Sequence, residues 1–225
     1  MLAVNSMLST RGGTLLSALI VVLCIVGLTM HRDFYACRVR KDFFCFYTNL
    51  SNLVVLLYFS AAAPWLYQNA SLHPLIAHAE FAVMMQILLT FAVFHLVLFP
   101  AVRKTALHME RSREYMIVCA DNLFIHYLVP LSVFVYWLLF SPGKASLRAS
   151  DALYWTALPV LYAAFIFLRA PLRGVIEEAG SPYPYPFMDV QALGIRRVAV
   201  YCASLYAVST LLALAIIALI RIVYA

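Results

Sequence analysis

Three short stretches hold the side chains able to do chemistry. In "FCFYTNLSNLVVLLYF" (44–59), Thr48, Asn49, Ser51 and Asn52 interrupt an otherwise apolar run. In "NLFIHYLVP" (122–130), Asn122 and His126 stand four apart, just ahead of Pro130. "FAVFHLVLFP" (91–100) carries His95. A threonine hydroxyl becomes a nucleophile when a neighbouring base takes its proton, and a neutral imidazole is suited to that task. His126 is the first candidate for the base and His95 its rival. Ser51, Asn52 and Asn122 are donors of the kind that stabilise an oxyanion, or that join helices. Thr48 has a second reading as well, because Ser and Thr in membrane helices also bond back to a carbonyl one turn earlier.

The elements that must position these groups are apolar helices. The chain has 225 residues, 65% hydrophobic and 12% charged, against roughly a quarter charged in an ordinary soluble domain. Apolar runs long enough to cross about 30 Å of hydrocarbon fall at about 14–30, 44–63, 79–100, 116–140, 151–168 and 198–220. Backbone groups in lipid must be bonded internally, so each run is expected to be a helix. The expected fold is all-α: a single six-transmembrane-helix bundle over 1–225, with short connections and no soluble appendage. The first run lacks a small-x-small cleavage site and leads straight into "HRDFYACRVRKD", so it is expected to be a retained helix. Of the 16 basic residues, only Arg11, Lys144, Arg148 and Arg221 lie outside the loops after spans one, three and five. Short basic loops stay cytoplasmic, which puts both termini on the non-cytoplasmic side. The net charge of +6 then reads as topology and contact with anionic headgroups, not as a nucleic-acid surface.

A helix rises 1.5 Å per residue, so position converts to depth. Counted from Phe43, Thr48 lies roughly 7 Å and Asn52 roughly 13 Å below the cytoplasmic edge, with His95 and the Asp121–His126 stretch at similar depths on spans three and four. Span ends in the other half, "LVVLLYFSAAAP" and "LSVFVYWLLF", look bare. Thr48, Ser51 and Asn52 follow i, i+3, i+4 spacing and share a face, as do Asn122 and His126, while Asn49 points aside. Asp121 either orients an imidazole or pairs with a basic loop residue. Pro130 cannot donate to the carbonyl of His126 and should kink the helix beside it. "GSPYPYPFMDV" (180–190) is too rich in proline for a regular helix. Its Tyr185, Phe187 and Asp189 either cap the polar pocket or anchor the loop at the interface.

Other chemistries are weaker. His95 and His126 as ligands of a metal or a haem lack any HExxH or Cys/His ligand spacing, so no metal or cofactor is expected. His31, His73, His78 and His108 fall in or beside loops. Five cysteines form no CxxC pair, and Asn69-Ala70-Ser71 is a glycosylation sequon on the expected external side. Polar groups confined to one leaflet favour an enzyme over a transporter or ligand-binding protein, which remains the alternative.

"FYTNLSN", "NLFIHYLVP" and "YPYPFMD", in that order, resemble the six-transmembrane integral membrane proteins of bacteria and, more distantly, the eukaryotic androgen-induced and androgen-dependent-TFPI-regulating proteins. The resemblance implies a multi-pass threonine hydrolase of lipid esters, such as fatty acid esters of hydroxy fatty acids. It implies Thr48, in its aromatic–x–Thr setting, as nucleophile and His126, ahead of Pro130, as base. The partner would be a fatty-ester substrate drawn from membrane lipids. The location implied is a bacterial inner membrane, or the endoplasmic reticulum membrane for a eukaryotic chain. His95 has no counterpart in the pattern, and Tyr185-Pro186-Phe187 is shared without an implied role.

Overall fold

In the computed structural model the described residues are 2–30, 42–64, 73–100, 120–142 and 144–224. The sequon, Cys37, Cys119 and the basic residues of the first two basic loops lie outside them. The helices are α1 (Leu2–Met30), α2 (Tyr47–Leu57), α3 (His73–Val93), α4 (Val129–Phe140), α5 (Asp151–Tyr154), α6 (Ala157–Arg173), α7 (Val190–Leu193) and α8 (Ile195–Tyr224). Among the described residues there is no β-strand, only one isolated bridge between Ile176 and Ser181. Five helical stretches are long and apolar enough to cross a membrane: Arg11–Met30, Leu75–Leu98, Ala120–Phe140, Asp151–Arg173 and Ile195–Val223. Large apolar side chains such as Leu15, Leu96, Leu161 and Leu211 stand exposed on them, the pattern of helices solvated by hydrocarbon rather than water.

The chain divides into two compact units: Met1–Arg40 with Thr48–Ser146, and Lys41–Tyr47 with Leu147–Ala225. In the first unit α1 packs along α4, and α3 packs along α4 from another side. Gly27 permits the close approach of α1. A Cβ there would sit 2.6 Å from Ile125 Cγ2 and 3.1 Å from Phe124 Cβ.

Three helices of this unit share one backbone device. A five-residue π turn ends two positions before a proline in each: Tyr58–Ala62 before Pro64, Phe94–Leu98 before Pro100, and Phe124–Leu128 before Pro130. The proline ring would clash with the carbonyl four residues back and supplies no N–H. The residue ahead of it therefore donates five back instead of four: Ala63 to the Tyr58 carbonyl, Phe99 to Phe94, Val129 to Phe124. The kink expected at Pro130 takes this form. The proline deprives the carbonyl four residues before it of its usual donor, and the five-back bond deprives the carbonyl before that one as well. Ile125 loses its usual donor because Val129 donates to Phe124, and the next residue is Pro130.

In the second unit the segment 42–47 joins α6. Tyr162 donates to the Cys45 carbonyl at 2.7 Å, its ring meets Tyr47 edge-on at 5.2 Å, and Arg169 pairs with Asp42 at 3.1 Å. The long helix α8 packs against α5, α7 and the 3-10 turn Pro186–Met188. Gly174 and Gly194, at φ 70° and 79°, end α6 and α7 in a conformation that residues with a Cβ rarely adopt.

Several boundaries depart from the sequence expectation: α1 begins at Leu2 rather than 14, and α3 at His73 rather than 79. The helix expected from residue 44 begins at Tyr47, because Cys45 N–H closes a 3-10 turn on the Asp42 carbonyl at 2.8 Å and Phe46 is extended. The last helix begins at Ile195 rather than 198, directly after Gly194.

Candidate functional site

Thr48 is the second residue of α2, in the turn whose backbone N–H groups have no intrahelical acceptor. Thr48, Asn49, Ser51 and Asn52 are all buried, the last two completely. Asn49, which spacing sets aside, is therefore inside with the others. Their hydrogen bonds form an ordered chain. Thr90 Oγ1 and Ser51 Oγ lie 2.7 Å apart, and Ser51 donates to the Thr48 carbonyl at 3.0 Å. Thr90 Oγ1 also reaches the Gln86 carbonyl at 3.5 Å, so either hydroxyl can be the donor between the two.

Asn52 carries the most informative geometry. Its Nδ2 donates to the Thr48 carbonyl at 2.8 Å and to the Ile125 carbonyl at 3.2 Å. Both partners are acceptors, which fixes the amide orientation. The second is the carbonyl orphaned by the π turn before Pro130, so a side chain of α2 repairs the backbone of the neighbouring helix. With both N–H groups spent, Asn52 offers no donor to an oxyanion. It offers an acceptor: Oδ1 is buried without a hydrogen-bond partner among the described residues.

His126 follows Ile125 inside the same π turn and is buried. Its ring stacks on Phe94 at 3.8 Å and 11°. Asp121 is buried and Asn122 half-buried one turn earlier. His95 occupies the π turn of the preceding helix but is exposed. Its Nδ1 lies 3.0 Å from Tyr127 Oη, and its ring stacks between Phe91 and Phe99.

The second unit holds Tyr185, Phe187 and Asp189. Tyr185 is buried and stacked on Phe187 at 5.4 Å and 2°. Asp189 accepts from Ser181 Oγ at 2.6 Å and from Ala192 N–H at 2.9 Å, so its carboxylate braces its own loop and caps α7. The Ser181 hydrogen bond holds its pKa below the ordinary carboxylate value.

The half of the first unit expected to be bare is not. Glu80 is buried in α3 and accepts from Tyr58 Oη at 3.0 Å. Lys144 folds back to donate to the Trp137 carbonyl at 3.1 Å and to the Leu138 carbonyl, with its ammonium 5.6 Å from the centre of the Trp137 ring. It caps the end of α4, where a cation complements the helix dipole. Burial lowers its pKa, and the carboxylate of Glu80 works against that shift. Gln86 and Thr90 continue the buried polar residues along α3. Among the described residues no three His, Cys, Asp or Glu side chains gather as metal ligands.

No protein-family model, curated protein or solved structure matches this chain.

Proposed function

We propose that the protein is an intramembrane hydrolase of lipid esters, with Thr48 as nucleophile and His126 as base. One observation carries the reading. A single buried amide, Asn52, bonds the backbone of Thr48 and the backbone of Ile125, the residue before His126. Nucleophile and base candidates thus belong to one hydrogen-bonded assembly in a water-poor interior, whereas the rival base His95 is exposed. In the reaction Thr48 Oγ attacks the ester carbonyl while its proton passes to His126. The imidazolium then protonates the departing alcohol, and a water deprotonated by His126 attacks the acyl group, which leaves as the acid while His126 returns that proton to Thr48 Oγ. Because Asn52 spends both N–H groups on carbonyls and Ser51 is held between the Thr48 carbonyl and Thr90, the oxyanion falls to the first-turn N–H groups of α2 and to Asn122.

The proposal includes six spans, α2 among them, with both termini away from the cytoplasm in a bacterial inner membrane. A substrate drawn laterally from the bilayer would be a fatty ester. The test is labelling of purified protein by a serine/threonine-directed fluorophosphonate probe, together with hydrolysis of a fluorogenic lipid ester. Thr48→Ala and His126→Ala should each lose both signals while His95→Phe keeps them. Wild-type labelling and turnover in both alanine variants would end the proposal.

Buried Glu80, Gln86 and Thr90 favour a second reading, a carrier for a small polar solute. Uptake into proteoliposomes that is lost in Glu80→Gln but kept in Thr48→Ala would select it.

A further inference from the structure

His95 and Tyr127 form a polar pair on an apolar exterior. His95 lies in the π turn Phe94–Leu98, three residues before the end of the apolar stretch Leu75–Leu98, hence roughly 5 Å of helix from its end. Leu96, Val97, Phe99 and Leu123 nearby are exposed large apolar side chains. Tyr127 satisfies one ring nitrogen of this imidazole, and the polar capacity the pair has left carries a desolvation cost on an apolar exterior unless a ligand bonds it. The rings hold it firmly: Phe91 and Phe99 stack on either side at 5.8 and 5.9 Å, and Tyr127 stands edge-on to Phe91 and Phe94. Phe94 in turn stacks on His126. One aromatic layer therefore separates exposed His95 and half-buried Tyr127 from the buried candidate base.

The protonation chemistry of the pair is restrictive. If Tyr127 donates to Nδ1, the neutral imidazole carries its proton on Nε2. If Nδ1 donates to the phenol oxygen, the phenol proton is free. If the ring is charged, both are free. Every state presents at least one proton for a ligand oxygen. The apolar stretches bearing the pair, 75–98 and 120–140, contain no lysine or arginine, the side chains that phosphate recognition favours. A carboxyl group on an acyl chain fits better: neutral donors suffice for it, and Leu96, Val97 and Phe99 suit the chain.

We infer that His95 and Tyr127 bind the carboxyl group of a fatty acid lying along the outside of α3. Hydrolysis of any lipid ester releases such a molecule, so the site holds the acid product on its way back to the bilayer. That assignment to the product rests on the hydrolase reading, whereas the binding itself does not.

The test is photo-crosslinking of a diazirine-bearing palmitic acid to protein in phosphatidylcholine nanodiscs, in the wild-type and Thr48→Ala backgrounds, with sites mapped by mass spectrometry. Adducts are expected within 91–99 and 123–127 in both backgrounds, with oleate competing and methyl oleate not. His95→Phe and Tyr127→Phe, which keep the ring packing, should each lower the yield by roughly fivefold, the value of one hydrogen bond. Each variant's melting curve is taken first, and labelling is compared only between folded samples. Adducts elsewhere, equal competition by methyl oleate, unchanged yield in both variants, or displacement by lysophosphatidic acid but not by oleate would overturn the inference. Persistence of the adducts in a protein without esterase activity would uphold the site and reject only its place after hydrolysis.

Discussion

Replacing Asn52 by Leu removes two hydrogen bonds at nearly constant volume, and their costs should be unequal. The Thr48 carbonyl keeps the Ser51 hydroxyl at 3.0 Å, so it stays satisfied. The Ile125 carbonyl has no substitute, because Val129 donates to Phe124 and Pro130 has no N–H. A buried acceptor left unpaired costs about 1–3 kcal/mol. Interhelical hydrogen bonds in membranes measure about 0.6 kcal/mol on average and about 1.7 at most. Relief of the unpartnered Asn52 Oδ1 offsets part of the loss, so about 1–2 kcal/mol of destabilisation is expected. Asn52→Asp should cost more, since it turns oxygen toward two carbonyl oxygens. The sharper measurement is a double-mutant cycle with Pro130→Ala, read by steric-trapping unfolding in bicelles. Alanine restores an N–H at position 130 and lets the turn supply Ile125 from within its own helix. Asn52→Leu should then cost less than half as much, a coupling of about 1 kcal/mol. Strict additivity would refute the claim that Asn52 exists to repair the π turn.

Three further outcomes follow from other contacts. Gly27→Ala should destabilise by about 1–3 kcal/mol in the same unfolding assay, since its Cβ would meet the stiff branch of Ile125 at 2.6 Å; a neutral result would mean that α1 does not sit against this turn. Tyr58→Phe should cost about 1–3 kcal/mol by withdrawing the donor to buried Glu80, and a loss below about 0.3 kcal/mol would show that the carboxylate does not depend on it. The loop from Gly174 to Gly194 should protect itself in a pH-dependent way. With its folded pKa depressed, Asp189 contributes stability that is complete above its unfolded value of about 3.9 and disappears as pH falls through the lower folded one. Hydrogen exchange within 176–192 should therefore rise below about pH 4, and Ser181→Ala should move that rise to higher pH.

What was legible in the sequence was periodicity. The i, i+3, i+4 spacing of Thr48, Ser51 and Asn52 predicts one inward face, and all three are buried. A proline four residues after His126 announces a distorted turn. What periodicity does not contain is which side-chain atom meets which carbonyl. An asparagine on a helix face reads as a donor, and only the orphaned carbonyl of Ile125 shows that this one has no donor left to give. Asn49 lies off that face by spacing and is buried all the same, because a position aside from one helix face can still be covered by its surroundings. Glu80 was missed for a simpler reason. An apolar run judged to start at residue 79 leaves Glu80 at the rim, but α3 starts at His73 and carries it roughly 10 Å inward.

That last difference changes the argument about function. With Glu80, Gln86 and Thr90 buried along α3 and Lys144 folded over the end of α4, polarity is no longer confined to one half of the first unit. One-sidedness therefore ceases to separate a hydrolase from a carrier, and the separation has to come from what each mechanism requires. A carrier would need the residues along α3 and has no need of a nucleophile. A hydrolase needs Thr48 activated by a base and is indifferent to a carboxylate at the far end of the bundle. Glu80→Gln keeps the acceptor for Tyr58 while removing the charge, so it should leave fluorophosphonate labelling and ester turnover within about twofold of wild type, a change of about 0.4 kcal/mol in the barrier. If it abolishes labelling as completely as Thr48→Ala in a protein that still melts as a folded one, the two halves work as one mechanism and the Thr48–His126 assignment is wrong.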